Sequence, residues 1–186
     1  MRIVGGRLGG RTLLAPKSQA IRPTSDRLRE ALFNVLQHAY ADPVNGARVL
    51  DLFAGTGAMG LEALSRGAAF ALFVDDGAEA RALLRGNVDA LGAGGASKVY
   101  RRDATRLGPC APLSPFSLAF LDPPYGKGLA EKALVAARDG GWLTPEALIV
   151  VEEAADAGFV QPEGFGEIER RDYGDTCAVI LRASPC

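Results

Sequence analysis

Histidine is almost missing from this 186-residue chain: His38 stands alone, which leaves no group of imidazoles to ligate a metal or to pass protons between two rings. Cysteine is nearly as scarce. Cys110, Cys177 and Cys186 are odd in number and widely spaced, with no CxxC pair, so neither a disulfide framework nor a thiolate zinc site is supported and no metal is expected. Long apolar runs are lacking too. Stretches such as Gly67 to Val74 and Ala147 to Val151 fall well short of the roughly 20 residues of a membrane helix. Arg2 follows Met1 without the apolar core of a signal peptide. A cytoplasmic monomer with no membrane partner is the expectation, and no internal repeat or low-complexity stretch interrupts it.

What is present is the composition of a globular domain. Hydrophobic residues make up 48% and charged residues 23%, and a chain of this length buries roughly 70% of its unfolded surface in one core. The net charge of −1 conceals an asymmetry. Residues 1–37 hold seven basic side chains (Arg2, Arg7, Arg11, Lys17, Arg22, Arg27, Arg29) against Asp26 and Glu30, while the remainder carries fourteen basic against twenty acidic. A basic arm on an acidic body is the electrostatic layout of a protein that holds a polyanion along one edge.

The arm reads as a small hairpin, Arg2–Gly6 against Gly10–Leu14, then a connector over Pro16–Pro23. A helix capped by Thr24, Ser25 or Asp26 follows to about Tyr40, with Leu28, Ala31, Leu32, Val35 and Leu36 on its apolar face. From Ala47 onward, strand-like and helix-like runs alternate, the pattern of a mostly parallel sheet covered on both faces. Strands are expected at Ala47–Phe53, Ala69–Asp75, Ser97–Arg102, Phe116–Leu121 and Ala147–Glu152, with helices at Gly57–Arg66, Ala78–Leu91 and Leu129–Arg138. Glu167–Tyr173 and Thr176–Leu181 read as a closing antiparallel pair. The expected division is one domain over 1–186, in which 1–40 form a hairpin-and-helix extension on a core of 41–186.

Acidic residues stand at the ends of these strands, where α/β folds bind ligands. Asp51-Leu52-Phe53-Ala54-Gly55-Thr56-Gly57-Ala58-Met59-Gly60 places a GxGxxG in a strand-to-helix turn. A dinucleotide domain would put a pyrophosphate at that helix start. Asp51 would repel it, and is suited instead to the ammonium of a zwitterionic ligand. Asp75, eighteen residues beyond Gly57, is placed to accept both hydroxyls of a ribose, with Asp76 a substitute. Asp103, with Ala104 beside it, is placed either to accept from an adenine amine or to cap the turn that follows. At the fourth strand, Leu121-Asp122-Pro123-Pro124-Tyr125 sets a carboxylate, two prolines without amide protons and an aromatic ring together. That grouping suits a planar base carrying an exocyclic amine.

The ordered set Asp51, glycine turn, Asp75, Asp103 and Asp122 resembles the class I S-adenosylmethionine-dependent methyltransferases over Ala47 to the C-terminus. The resemblance implies a Rossmann-like fold with a seven-stranded, mostly parallel sheet. It implies S-adenosylmethionine held by Asp51, Phe53, Ala54, Gly55, Thr56, Gly57, Asp75, Asp103 and Ala104. The DPPY is similar to that of enzymes methylating exocyclic or amide nitrogen. Hydrogen bonds accepted from the N–H groups by Asp122 and the Pro123 carbonyl would localise the nitrogen lone pair, with Pro124 keeping the loop rigid and Tyr125 stacking on the base.

The N-terminus narrows the choice. Arg2-Ile3-Val4-Gly5-Gly6, Gly10-Arg11 and Arg22-Pro23-Thr24-Ser25-Asp26-Arg27-Leu28-Arg29-Glu30-Ala31-Leu32-Phe33-Asn34, with Asn87 and Tyr173-Gly174-Asp175-Thr176, closely resemble the bacterial RsmD-type 16S ribosomal RNA guanine-N2 methyltransferases. The resemblance implies a 30S ribosomal subunit or its 16S rRNA as partner, gripped by Arg2, Arg7, Arg11, Arg22, Thr24 and Arg27. Family members commonly carry glutamate, then a basic and an acidic residue, where Asp75-Asp76-Gly77 stand here. Adenine in DNA, glutamine in protein, or a non-catalytic RNA-binding module on this fold are the competing readings.

Overall fold

A computed structural model describes residues 1–17 and 24–185. Its strands are β1 (Arg48–Leu52), β2 (Phe70–Val74), β3 (Ser97–Tyr100), β4 (Phe116–Leu121), β5 (Leu143–Ala154), β6 (Phe165–Tyr173) and β7 (Thr176–Ala183). Its α-helices are α1 (Asp26–Ala39), α2 (Ala58–Ser65), α3 (Ala78–Ala90) and α4 (Leu129–Asp139). The strands form one seven-stranded sheet in the order β3-β2-β1-β4-β5-β7-β6. Neighbours from β3 across to β5 run parallel, and β7 lies antiparallel between β5 and β6. β1 and β2 are buried along nearly their whole length, as apolar strands covered on both faces must be. Two apolar clusters fill the two sides of the sheet, one around Phe33, Phe73 and Phe120, the other around Phe116, Trp142 and Ile149.

Several elements depart from expectation for identifiable reasons. β1 stops at Leu52 because Phe53 turns left-handed, at φ 58°, directly before the glycine loop. β5 begins at Leu143 rather than Ala147: Leu143 pairs with Phe116, the register then shifts, and Glu146 takes φ 65°. Pro145, which has no N–H to give a ladder, lies within that irregularity.

The N-terminal hairpin shrinks to a single antiparallel bridge, Arg2 with Thr12, beside a 3-10 turn at Gly6–Leu8. Ile3 N donates to Arg11 O, Gly10 N to Ile3 O and Leu13 N to Met1 O at 2.9, 2.8 and 3.0 Å, which hold the two arms of the hairpin together, while other backbone donors of the same stretch go to α2. Val4 N and Gly5 N donate to Glu62 Oε2 and Oε1 at 2.9 and 2.8 Å, and Leu8 N donates to Ser65 Oγ at 2.9 Å. Gly6 sits so close to this helix end that a Cβ would lie 2.0 Å from the Ser65 carbonyl oxygen, and its φ is +73°. Only glycine satisfies both conditions without strain.

α1 is capped by Ser25, whose Oγ accepts from Leu28 N at 3.1 Å. Its buried face is Arg29, Leu32, Phe33 and Leu36, rotated from the expected stripe to include an arginine and a phenylalanine. Phe33 meets Phe120 of β4 at 5.4 Å between ring centroids.

Candidate active site

The parallel strands end on one side of the sheet, and there the loops enclose a cavity of about 610 Å³, within the range of small-molecule sites. Every expected cofactor residue except Gly57 lines it, as do all four residues Asp122 to Tyr125. Gly57 stands just behind the wall at φ +80°, where a Cβ would strike Leu84 at 2.2 Å. Gly60, the last glycine of the turn, lets α2 close onto the sheet: a Cβ there would lie 2.4 Å from the Phe73 ring and 3.1 Å from Asp51 Oδ2. These two glycines therefore serve packing.

Asp51 is 2% exposed and its Oδ2 accepts the Gly60 amide at 2.9 Å. Burial pushes its carboxyl up to about 8, partly offset by that hydrogen bond, and the neighbouring Asp75 charge adds to the rise. A desolvated acid facing a second carboxylate across the cavity is an electrostatic defect that a cation repairs. An anionic ligand group would worsen it.

Asp75 holds the glycine loop as well as the cavity wall. Its Oδ2 accepts Gly55 N at 2.9 Å and its Oδ1 accepts Gly77 N at 2.8 Å. Each oxygen keeps a second lone pair for a ligand hydroxyl. Asp76 is the more exposed of the two. Asp103 caps the 3-10 turn Ala104–Arg106, with Oδ1 accepting from Thr105 N at 2.8 Å and Thr105 Oγ1 at 2.7 Å. Those bonds hold its carboxyl below the usual range. The capping reading of Asp103 is thus realised, at the rim of the same cavity.

At the end of β4 the Asp122 amide donates to Leu52 O at 3.4 Å, pinning the DPPY to β1. Tyr125 OH donates to Glu152 Oε1 at 2.6 Å and lies 3.3 Å from Thr176 Oγ1. Burial, then the Glu152 carboxylate, push the Tyr125 phenol far above its ordinary value, so it stays a neutral donor. Gly126 N donates to Glu153 Oε1 at 3.0 Å, tying the rest of the loop to β5.

The arm divides into an outer and an inner part. Arg2, Arg7, Arg11 and Arg27 are exposed, and Arg11 Nη2 donates to Ala90 O at 2.8 Å. Arg22 lies outside the described residues. Arg29, counted in the sequence among the basic arm, is instead fully buried: it donates to Glu62 Oε2 at 3.2 Å, Asp26 Oδ1 at 2.8 Å and Thr24 O at 3.2 Å, and also to the Arg2 carbonyl. Thr24, expected among the RNA contacts, is 6% exposed and turned into the cavity, with its hydroxyl 3.1 Å from both Asp122 Oδ2 and Glu152 Oε2.

Sequence reasoning passed over Glu152, Glu62 and Ser65, and took up Thr176 only as part of the resemblance. Glu152 closes an apolar run at the end of a strand, the same signal that marked Asp51, Asp75 and Asp122. Asn87, singled out only by resemblance, is fully buried: its Nδ2 donates to Thr56 O at 2.9 Å and its Oδ1 accepts Leu14 N at 2.6 Å. It joins the glycine loop to the N-terminal arm.

This strand order, with a glycine loop after β1 and acidic strand ends around one cavity, is that of the Rossmann-like methyltransferases. The family model described as conserved hypothetical protein 95 matches residues 1–182, and the chain belongs to that family, the RsmD-type methyltransferases. It is 43% identical over 159 residues, 85% of this chain and 77% of the relative, to Ribosomal RNA small subunit methyltransferase D of Escherichia coli strain K12. It is 33% identical over 176 residues, 94% of this chain and 89% of the relative, to the protein of that name from Haemophilus influenzae. The solved E. coli protein yhhF superposes with a TM-score of 0.84 at 34% identity, covering 100% of this chain and 99% of that one.

Proposed function

We propose that this protein transfers a methyl group from S-adenosylmethionine to the exocyclic N2 amine of a guanine in bacterial small-subunit (16S) ribosomal RNA, in an assembled or assembling 30S particle. The observation that carries the reading is that Asp122 and Tyr125 line the same cavity as the glycine loop, Asp51 and Asp75. A base gripped by the first pair meets a ligand held by the second set. The names of the relatives support ribosomal RNA as the polymer, and the exposed arginines of the arm supply cations for its phosphates.

The residues present fit the cofactor. Bound there, S-adenosylmethionine supplies an electrophilic methyl on a sulfonium. Asp51 and Asp75 would give its cationic end a complementary field, Asp75 would also offer lone pairs to ribose hydroxyls, and Asp103 and Ala104 would hold the adenine. Asp122 and the Pro123 carbonyl accept the guanine N–H groups, which localises the nitrogen lone pair and stabilises the positive charge that grows on it. Tyr125 stacks on the base, and its tethered hydroxyl fixes the ring. Beyond this alignment, an in-line displacement needs little.

The test offers labelled S-adenosylmethionine to small subunits from cells lacking this protein, with separated RNA, DNA and ribosomal protein as alternatives. Mass spectrometry of the small-subunit RNA should find one N2-methylguanosine gained. Label on adenine in DNA or on glutamine would overturn the reading.

A further inference from the structure

The chain that leads into α1 delivers a side chain to the centre of the site. Thr24 Oγ1 carries one proton and lies 3.1 Å from each of two carboxylate oxygens, Asp122 Oδ2 and Glu152 Oε2. Glu152, 7% exposed, takes the Tyr125 hydroxyl on its other oxygen at 2.6 Å. Since the single Thr24 proton is donated to only one of the two carboxylates at a time, Thr24 bridges Asp122 and Glu152 by sharing it, and the line of side chains runs Asp122, Thr24, Glu152, Tyr125. It connects the two ends of the base-gripping loop through β5 and through a residue that belongs to the N-terminal arm. Thr24 is itself fixed from behind, since Arg29 Nη1 donates to its carbonyl at 3.2 Å while Arg29 Nε is held by Glu62 of α2.

We infer that Thr24 and Glu152 are positioning residues for methyl transfer: Thr24 orients the Asp122 carboxylate, Glu152 orients the Tyr125 ring, and the N-terminal arm thereby completes the active site as well as meeting the substrate. The inference rests on the reading of this cavity as the site of transfer. A carboxylate that rotates out of line, or a ring that drifts from the base, displaces the nitrogen from the attacking geometry. A displacement of 1 Å costs on the order of 100-fold in rate.

The wild type is first offered labelled S-adenosylmethionine with small subunits, free RNA, DNA and ribosomal protein, and the variants are then assayed on whichever acceptor it labels. Thr24→Val should lower kcat by about 100-fold with KM for the acceptor and Kd for the cofactor unchanged. Thr24→Ser, which restores the hydroxyl, should recover most of that loss. Glu152→Gln, which keeps a carbonyl acceptor but loses the charge, should fall between the two.

Full kcat in Thr24→Val would overturn the inference. So would an equal fall in kcat and cofactor affinity, or a loss that serine does not recover, because each marks a merely structural role. If the wild type labels DNA or protein, the ribosomal RNA reading fails and the positioning roles are judged on that acceptor. If it labels nothing, both fail.

Discussion

Arg29 of α1 and Glu62 of α2 form an ion pair at 3.2 Å in which both side chains are fully buried. Glu62 spends its remaining capacity on the amides of Val4 and Gly5 and on Arg66 Nε at 2.8 Å, while Arg29 reaches the carbonyls of Arg2 and Thr24. The pair is the fastening between the N-terminal arm and the core. Taking two charges out of water is expensive, and here nearly every donor and acceptor is matched.

Glu62→Ala should therefore destabilise the protein by about 3–5 kcal/mol, since it leaves a buried guanidinium without its counter-charge. Urea unfolding followed by circular dichroism measures it, and a midpoint equal to that of the wild type would remove Glu62 from this role. Gly6→Ala should loosen the same junction, because a Cβ meets the Ser65 carbonyl oxygen at 2.0 Å.

Asp51 ties stability and ligand binding to pH in opposite directions. Its carboxyl is raised from 3.8 to about 8 in the folded protein, so the native state holds a proton that the unfolded state releases near pH 4. This stabilising contribution is complete below pH 4 and is lost as pH rises through 8. Without ligand, wild type should lose stability against Asp51→Asn between those limits. A cationic ligand selects the ionised form, so S-adenosylmethionine affinity should climb toward pH 8 in wild type and stay flat in Asp51→Asn. Calorimetry across that range checks both slopes.

Asp122→Ala should reduce methyl transfer by about 10²–10³-fold, the usual scale for removing one preorganised group that stabilises developing charge. Cofactor affinity should hold, since the role proposed for the carboxylate is toward the base. Isothermal titration alongside single-turnover transfer separates the two, and undiminished transfer would dismiss Asp122 as the acceptor.

Replacing Arg2, Arg7 and Arg27 by glutamine should weaken RNA binding and flatten its salt dependence, by a slope of roughly 0.7–0.9 for each phosphate that the variant no longer neutralises. Cofactor affinity should not change. Filter binding over a salt series decides it, and an unchanged slope would place the RNA elsewhere.

How much of this was legible in the chain depends on how local the signal was. The alternation of apolar runs and the acidic residues closing them placed β1, β2 and β4 with Asp51, Asp75 and Asp122, because a strand buried on both faces must be apolar and a ligand site at its end must not be. The helix cap was readable to within Thr24, Ser25 or Asp26, and the structure selects Ser25, whose partner is three residues away. The hairpin was readable from its glycine turn, and what the sequence did not show is that the Val4 and Gly5 amides go to Glu62, dozens of residues distant. Arg29 was counted with the basic charge of the arm, since sequence does not show that a carboxylate waits for it on another helix.

The sequence by itself determined an alternating α/β chain, a glycine turn suited to a cationic ligand and a DPPY suited to a planar base with an exocyclic amine, because each of these rests on residue chemistry within a short span. Only the tertiary structure decided that Thr24 lies between Asp122 and Glu152, that Tyr125 is tethered across to β5, that Asn87 joins the arm to the glycine loop and that Arg29 joins it to α2. Those relationships join residues about 30 to 130 positions apart, and a hydrogen bond of about 3 Å across such a span exists only once the packing of sheet and helices has brought its two ends together.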